Sequence, residues 1–166
     1  MLWMNRQTGI IGKIRDNFSS FEDIRFFAQI FILITLLPTM LRLLSIPMLM
    51  KILTPGTLKG YQDIEKSKDK IVKFTDYILS RNFWIYRNTC LKRSLVLYHF
   101  LRGSGINVHI CFGVRYNGMS PNKEAEKKLE GHAWLIYNGD IFLERNTEST
   151  KAYKMTYCFP DKMEQI

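Results

Sequence analysis

Cys90, His132 and Glu144 are the residues of this 166-residue chain whose types and order could do covalent chemistry. A thiol, then an imidazole, then a carboxylate twelve positions after the imidazole are the parts of an activated nucleophile. The thiol attacks, the imidazole takes its proton and the carboxylate orients the imidazole. Thr89 reads as a helix N-cap, which places Cys90 in a first helical turn, where the helix dipole and unpaired N–H groups favour thiolate. Lys92 and Arg93 follow directly. The 47 positions from 77 to 123 hold no carboxylate, yet carry Arg81, Arg87, Lys92, Arg93, Arg102, Arg115 and Lys123. A structural cysteine gains nothing from such a place. Residue types alone leave the bland alternative open: an inert buried Cys90 and a hydrogen-bonded structural His132.

These side chains need elements to hold them. CLKRSLVLYHFLRG, from Cys90 to Gly103, reads as a mostly buried helix stopped by its glycine. From Ile106 to Arg115 apolar and polar residues alternate, the signature of a strand. A charged excursion fills 116 to 131, and Ser120-Pro121 before Glu124 predicts a short surface helix within it. In HAWLIYNGDIFLERN, two apolar segments flank Asn138-Gly139, a strong hairpin dipeptide. His132 then opens one strand and Glu144 lies near the end of its partner. A two-residue turn would pair Ala133 with Glu144 and put Glu144 and His132 on opposite faces. A three-residue bulged loop, Tyr137-Asn138-Gly139, would instead set His132 opposite Glu144, and that loop is the expectation. Asp140 sits at the hairpin tip, about 16 Å from His132 along the strand, too far to orient it. The Cys90 backbone N–H is a candidate oxyanion donor. Trp134 reads as a core residue, His99 and His109 as structural or exposed, Cys111 as packing, and Cys158 has no assigned role.

The N-terminal half is apolar. Phe26 to Leu41 is an uncharged run of 16, short of the roughly 20 residues of a spanning helix, with Gln29 and Pro38 inside it and Arg42 after it. It predicts buried or amphipathic helices broken near Pro38 and Pro47, capped by Ser20 or Asp23, with peripheral membrane contact through 26–50 or a true membrane span as the alternatives. A secretory cleavage site is not recognisable there. Thr54-Pro55-Gly56 marks a turn, and 61 to 80 predicts a helix burying Ile71, Phe74, Ile78 and Leu79. The expected division is a helical region over 1–80 and a core over 81–166. A composition of 46% hydrophobic and 23% charged residues excludes disordered and repeat-built chains. The net charge of +9 suits nucleic acid, an anionic membrane or an acidic peptide. Dispersed cations without an RNP-type or helix-turn-helix pattern argue against nucleic acid. Three cysteines without CxxC spacing argue against a disulfide framework or a zinc site, and for a reducing, cytoplasmic setting.

Residues 90 to 106, CLKRSLVLYHFLRGSGI, with Gly113-Val114 and His132-Ala133-Trp134, resemble the transglutaminase-like cysteine peptidases that mature lasso peptides. Leu36-Leu37-Pro38 and Leu41-Arg42-Leu43-Leu44 resemble the helical N-terminal part of the same peptidases. The resemblance implies an α+β fold, with a nucleophile helix packed on an antiparallel sheet and an N-terminal helical extension. It implies removal of a leader peptide from a ribosomally made precursor by Cys90, His132 and Glu144, without metal or cofactor. The implied partners are that precursor, a separate leader-binding protein and an asparagine-synthetase-like cyclase. Residues 1 to 89 lack the strands of the fused binding module, so a stand-alone peptidase subunit is expected. Two departures stand out: the charged insertion over 116–131, and Glu144 where the family usually has Asp. A transglutaminase-like enzyme with another acyl acceptor, such as an amine, and a non-catalytic membrane-associated protein are the competing classes.

Overall fold

The computed structural model describes residues 21–56, 64–81, 89–117 and 128–160. Among the described residues four helices come first: α1 (Phe21–Leu43), α2 (Ile46–Leu53), α3 (Ile64–Leu79) and α4 (Cys90–Gly103). Strands β1 (His109–Asn117), β2 (Lys128–Tyr137) and β3 (Asp140–Phe142) follow, then a single-turn helix α5 (Thr147–Lys151) and strand β4 (Lys154–Phe159). The strands form one antiparallel sheet in the order β3-β2-β1-β4. The fold is α+β, helices on an antiparallel sheet behind an N-terminal helix, in agreement with the sequence.

The apolar spacing explains which faces meet. Ile30, Ile34 and Leu37 of α1 recur every three or four residues and are fully buried. They share one hydrophobic core with Leu49 and Met50 of α2, Ile71 and Leu79 of α3, Leu95 and Leu101 of α4, and Ile110 and Leu135 of the sheet. The Phe26 ring meets Phe100 edge-on at 5.3 Å, joining α1 to α4 directly. One turn before Phe26, Lys70 of α3 holds the buried Asp23 carboxylate at 2.7 Å. Tyr98 is fully buried, with its hydroxyl 2.9 Å from Thr54 Oγ1. Burial pushes its phenol above the ordinary value, against the opposing pull of that hydrogen bond.

Two expectations for this half need correction. The first helix does not break at Pro38: α1 runs through it to Leu43, and the break falls at Leu44-Ser45, just ahead of Pro47 in the opening turn of α2. A mid-helix proline costs about 3 kcal/mol. Ile30, Ile34 and Leu37 buried before it, with Met40 and Leu41 packed against the same core after it, offset that cost. The second concerns the cysteines. Cys111 and Cys158 stand opposite each other on β1 and β4 and form a disulfide, leaving Cys90 as the free thiol. A cross-strand pair needs only matching register, which neither an odd count nor CxxC spacing can reveal. The proposed cap at Ser20 and the surface helix after Ser120-Pro121 lie outside the described residues.

Not all of the apolar surface is covered. Phe21, Ile32, Leu36 and Leu43 of α1 are at least half exposed, on the side away from the core. By length and composition α1 is sufficient to cross a membrane.

Candidate active site

Thr89 has extended backbone and its Oγ1 accepts the Lys92 N–H at 3.3 Å, so the cap expected from sequence forms and Cys90 is the first residue of α4. Its side chain is half-buried. The next turn is pinned to the sheet. Ser94 Oγ donates to the Ala133 carbonyl at 2.9 Å, a strand oxygen taken up by a helix side chain. β3 pairs only with Leu135, Ile136 and Tyr137, so no other described strand lies along that edge of β2 between 128 and 134.

His132 and Trp134 share one face of β2, while Leu135 faces the helices on the other. The imidazole neighbours the Trp134 ring, 5.9 Å away and nearly parallel, and the Tyr153 ring, 4.9 Å away and tilted. Arg115 caps the outer side of Tyr153 at 4.5 Å and is ion-paired to Glu130. Gly113, directly across from His132, makes this stack possible. A Cβ there would meet Trp134 Cη2 at 2.7 Å and the Lys154 carbonyl at 2.8 Å.

The carboxylate beside the imidazole is Glu144: its Oε2 lies 3.4 Å from His132 Nε2, and both side chains are 17% exposed. The expected route to this contact was wrong. The turn is the two-residue one, with Tyr137 paired to Asp140 and both Asn138 (φ 50°) and Gly139 (φ 86°) left-handed. Asn-Gly is the dipeptide that such a turn favours, and it prevails over the bulge. On a continued ladder Glu144 would then face away from His132. Instead the ladder stops at Phe142, and Leu143 turns left-handed at φ 56°. That one residue re-aims the chain and brings Glu144 back to the imidazole. Asp140, exposed at the hairpin, is not near it.

Two participants, Thr150 and Tyr153, were not singled out from sequence, and Arg93 was read only as a cation beside the thiol. Arg93 donates from Nη1 to the Leu143 carbonyl at 2.7 Å, while its Nε and Nη2 grip Asp76 at 2.7 and 3.3 Å. It thus fastens the left-handed corner to α4 and α3 together. Its place in the Cys-Leu-Lys-Arg segment was the available signal. Thr150, 2% exposed, sets its Oγ1 3.3 Å from His132 Nε2. Tyr153 supplies the second ring of the stack. Neither carries any sequence signature. His99 and His109 point Nδ1 at the backbone carbonyls of Leu53 and Pro160 instead.

The structure therefore joins His132 to Glu144, and holds the first turns of α4 to Ala133 and Leu143, the neighbours of those two residues. The Cys90 thiol makes no hydrogen bond to either among the described residues. The model of the transglutaminase-like superfamily matches residues 35–158, from the middle of α1 to β4. Searches of curated proteins and of solved structures return no match.

Proposed function

Because the chain belongs to the transglutaminase-like superfamily, which includes cysteine peptidases and acyltransferases, we propose that it is a cysteine peptidase removing the leader from a ribosomally made lasso-peptide precursor. The observation that carries the chemistry is the His132–Glu144 contact, together with the hydrogen bonds that tie the first turns of α4, which opens with the free Cys90 thiol, to the adjacent Ala133 and Leu143 carbonyls. The lasso-peptide assignment rests on the Cys90-Leu91-Lys92-Arg93-Ser94-Leu95 helix together with Gly113-Val114 and His132-Ala133-Trp134.

In this reading Cys90 Sγ meets His132 when substrate binds, since catalytic contacts commonly tighten only in the complex. His132 accepts the thiol proton as sulfur attacks the scissile carbonyl. It then returns that proton to the leaving amine as the C–N bond breaks. A water, deprotonated by the same imidazole, attacks the thioester and releases the acid product and the thiol. Glu144 holds the imidazole in place and balances its charge while protonated. The Cys90 backbone N–H, at the open N-terminus of α4, stabilises the oxyanion. A leader-binding protein presents the precursor, and an ATP-using cyclase consumes the product.

The test is a precursor peptide incubated with the purified protein and a leader-binding partner, followed by mass spectrometry. Cleavage that disappears in Cys90→Ala, with thermal unfolding unchanged, is the expected result. Cleavage retained in Cys90→Ala refutes the peptidase reading. A product heavier by an added amine, with no hydrolysis, transfers the assignment to an acyltransferase.

A further inference from the structure

The hydroxyl of Thr150 has one proton and two lone pairs, and two neighbours compete for that proton. Asn146 O lies 3.0 Å from Oγ1 and can only accept. His132 Nε2 lies 3.3 Å away and can accept or donate, depending on which ring nitrogen is protonated. If the hydroxyl gives its proton to Asn146, Nε2 must carry a hydrogen to make its contact. The reverse arrangement sends the hydroxyl proton to a bare Nε2. That would leave the nitrogen lone pair facing Glu144 Oε2 at 3.4 Å, an ionised oxygen with nothing to donate. The shorter distance and the carboxylate agree on the first arrangement.

We propose that Thr150 is a positioning residue that fixes the tautomer of His132: buried Oγ1 and Glu144 together hold the ring proton on Nε2, so that Nδ1 is the bare nitrogen available to a thiol. The proposal deepens the reading of Cys90 and His132 as nucleophile and base, and rests on it. The fold supports Thr150 closely. Asn146 caps α5, its Oδ1 accepting the Ser149 N–H at 3.0 Å, and the same residue's carbonyl receives the Thr150 hydroxyl. At 2% exposure, Thr150 leaves little room for water to replace it. Tyr153, one turn on, stacks on the imidazole and limits flipping of the ring. A ring with its proton on Nδ1 would present a donor, rather than a base, to the incoming thiol.

The experiment is nitrogen NMR of protein labelled at histidine, at mildly alkaline pH, with His132→Gln identifying the His132 signals. The expected wild-type spectrum has a protonated Nε2 and an unprotonated Nδ1. Thr150→Val keeps the branched shape and removes the oxygen; it is expected to give a mixture of tautomers. The same variant should lose about fivefold in kcat and in the single-turnover rate of Cys90 acylation by the precursor, the effect of one net hydrogen bond, with KM little changed. Thr150→Ser, which restores the oxygen, should return both rates to within about twofold of wild type. Thr150→Ala replaces the valine variant if that one does not fold. A wild-type ring protonated on Nδ1 overturns the proposal, as does a pure Nε2–H tautomer in the variants that lack the oxygen. A correct tautomer in a protein that cleaves no precursor removes the peptidase reading and upholds this one.

Discussion

Arg93→Lys is the substitution that most directly probes how the site is held. The guanidinium serves two elements at once: Nε and Nη2 on Asp76 of α3, and Nη1 on the carbonyl of Leu143. Lysine has the charge but a single nitrogen head, so it keeps one of these partners and abandons the other. Arg93 is only 12% exposed at its side chain, so water does not readily substitute for the lost contact. A hydrogen bond to a charged group is worth about 1.5–3 kcal/mol, and that is the expected fall in unfolding free energy by denaturant titration. If Asp76 keeps the lysine, the Leu143 carbonyl goes free. The left-handed backbone there costs about 1–2 kcal/mol for a residue with a Cβ, so its hold on Glu144 loosens. Turnover in the precursor assay should then fall by more than tenfold, out of proportion to the fraction unfolded. Leu143→Gly in the lysine background, which accepts φ 56° without that cost, should recover part of the turnover even while packing is lost. Wild-type stability and turnover in Arg93→Lys would refute the account of this corner.

Glu144→Gln should cut kcat severely while Asp140→Asn stays near wild type; the reverse order would identify the wrong carboxylate. Gly113→Ala should destabilise the protein by at least about 1–3 kcal/mol in denaturant titration, because its Cβ collides with Trp134 and a backbone oxygen. Reduction of Cys111–Cys158, which are 47 residues apart, should lower the unfolding free energy by about 4 kcal/mol on the loop-entropy account; an unchanged midpoint in reductant would show that the bridge adds nothing.

Much of the frame was legible because it is local. Thr89 before Cys90 marks a helix start, and Asn138-Gly139 marks a turn, through interactions within four residues of chain. The choice of Glu144 over Asp140 followed from strand length alone, but the argument through a bulged turn did not survive. It assumed that the ladder continues past Phe142. Leucine shows no preference for positive φ, so the corner at Leu143 is imposed by Arg93, 50 residues away in sequence. Thr150 and Tyr153 were invisible for the same reason: their role comes from α5 folding over the imidazole, not from their own neighbours. Pro38 misled in the opposite sense, a strong local signal overruled by the core contacts of Ile34 and Leu37 before it and of Met40 and Leu41 after it.

The shared core also has a consequence for how the protein is made. α1 leaves the ribosome well before α4, which supplies Phe100, Leu95 and Leu101 to the core they share. Sixty residues separate Leu43 from Gly103. At a synthesis rate of about 5–20 residues per second, a 23-residue apolar helix waits some 3–12 s, on this estimate, for the surface it packs against. During that interval its outer face, and the part of its inner face that α4 covers, are open to chaperones, to lipid and to other nascent chains. Soluble yield should therefore respond to slower growth temperature and chaperone supply more than to substitutions in the sheet, which is completed only when β4 emerges and pairs with β1.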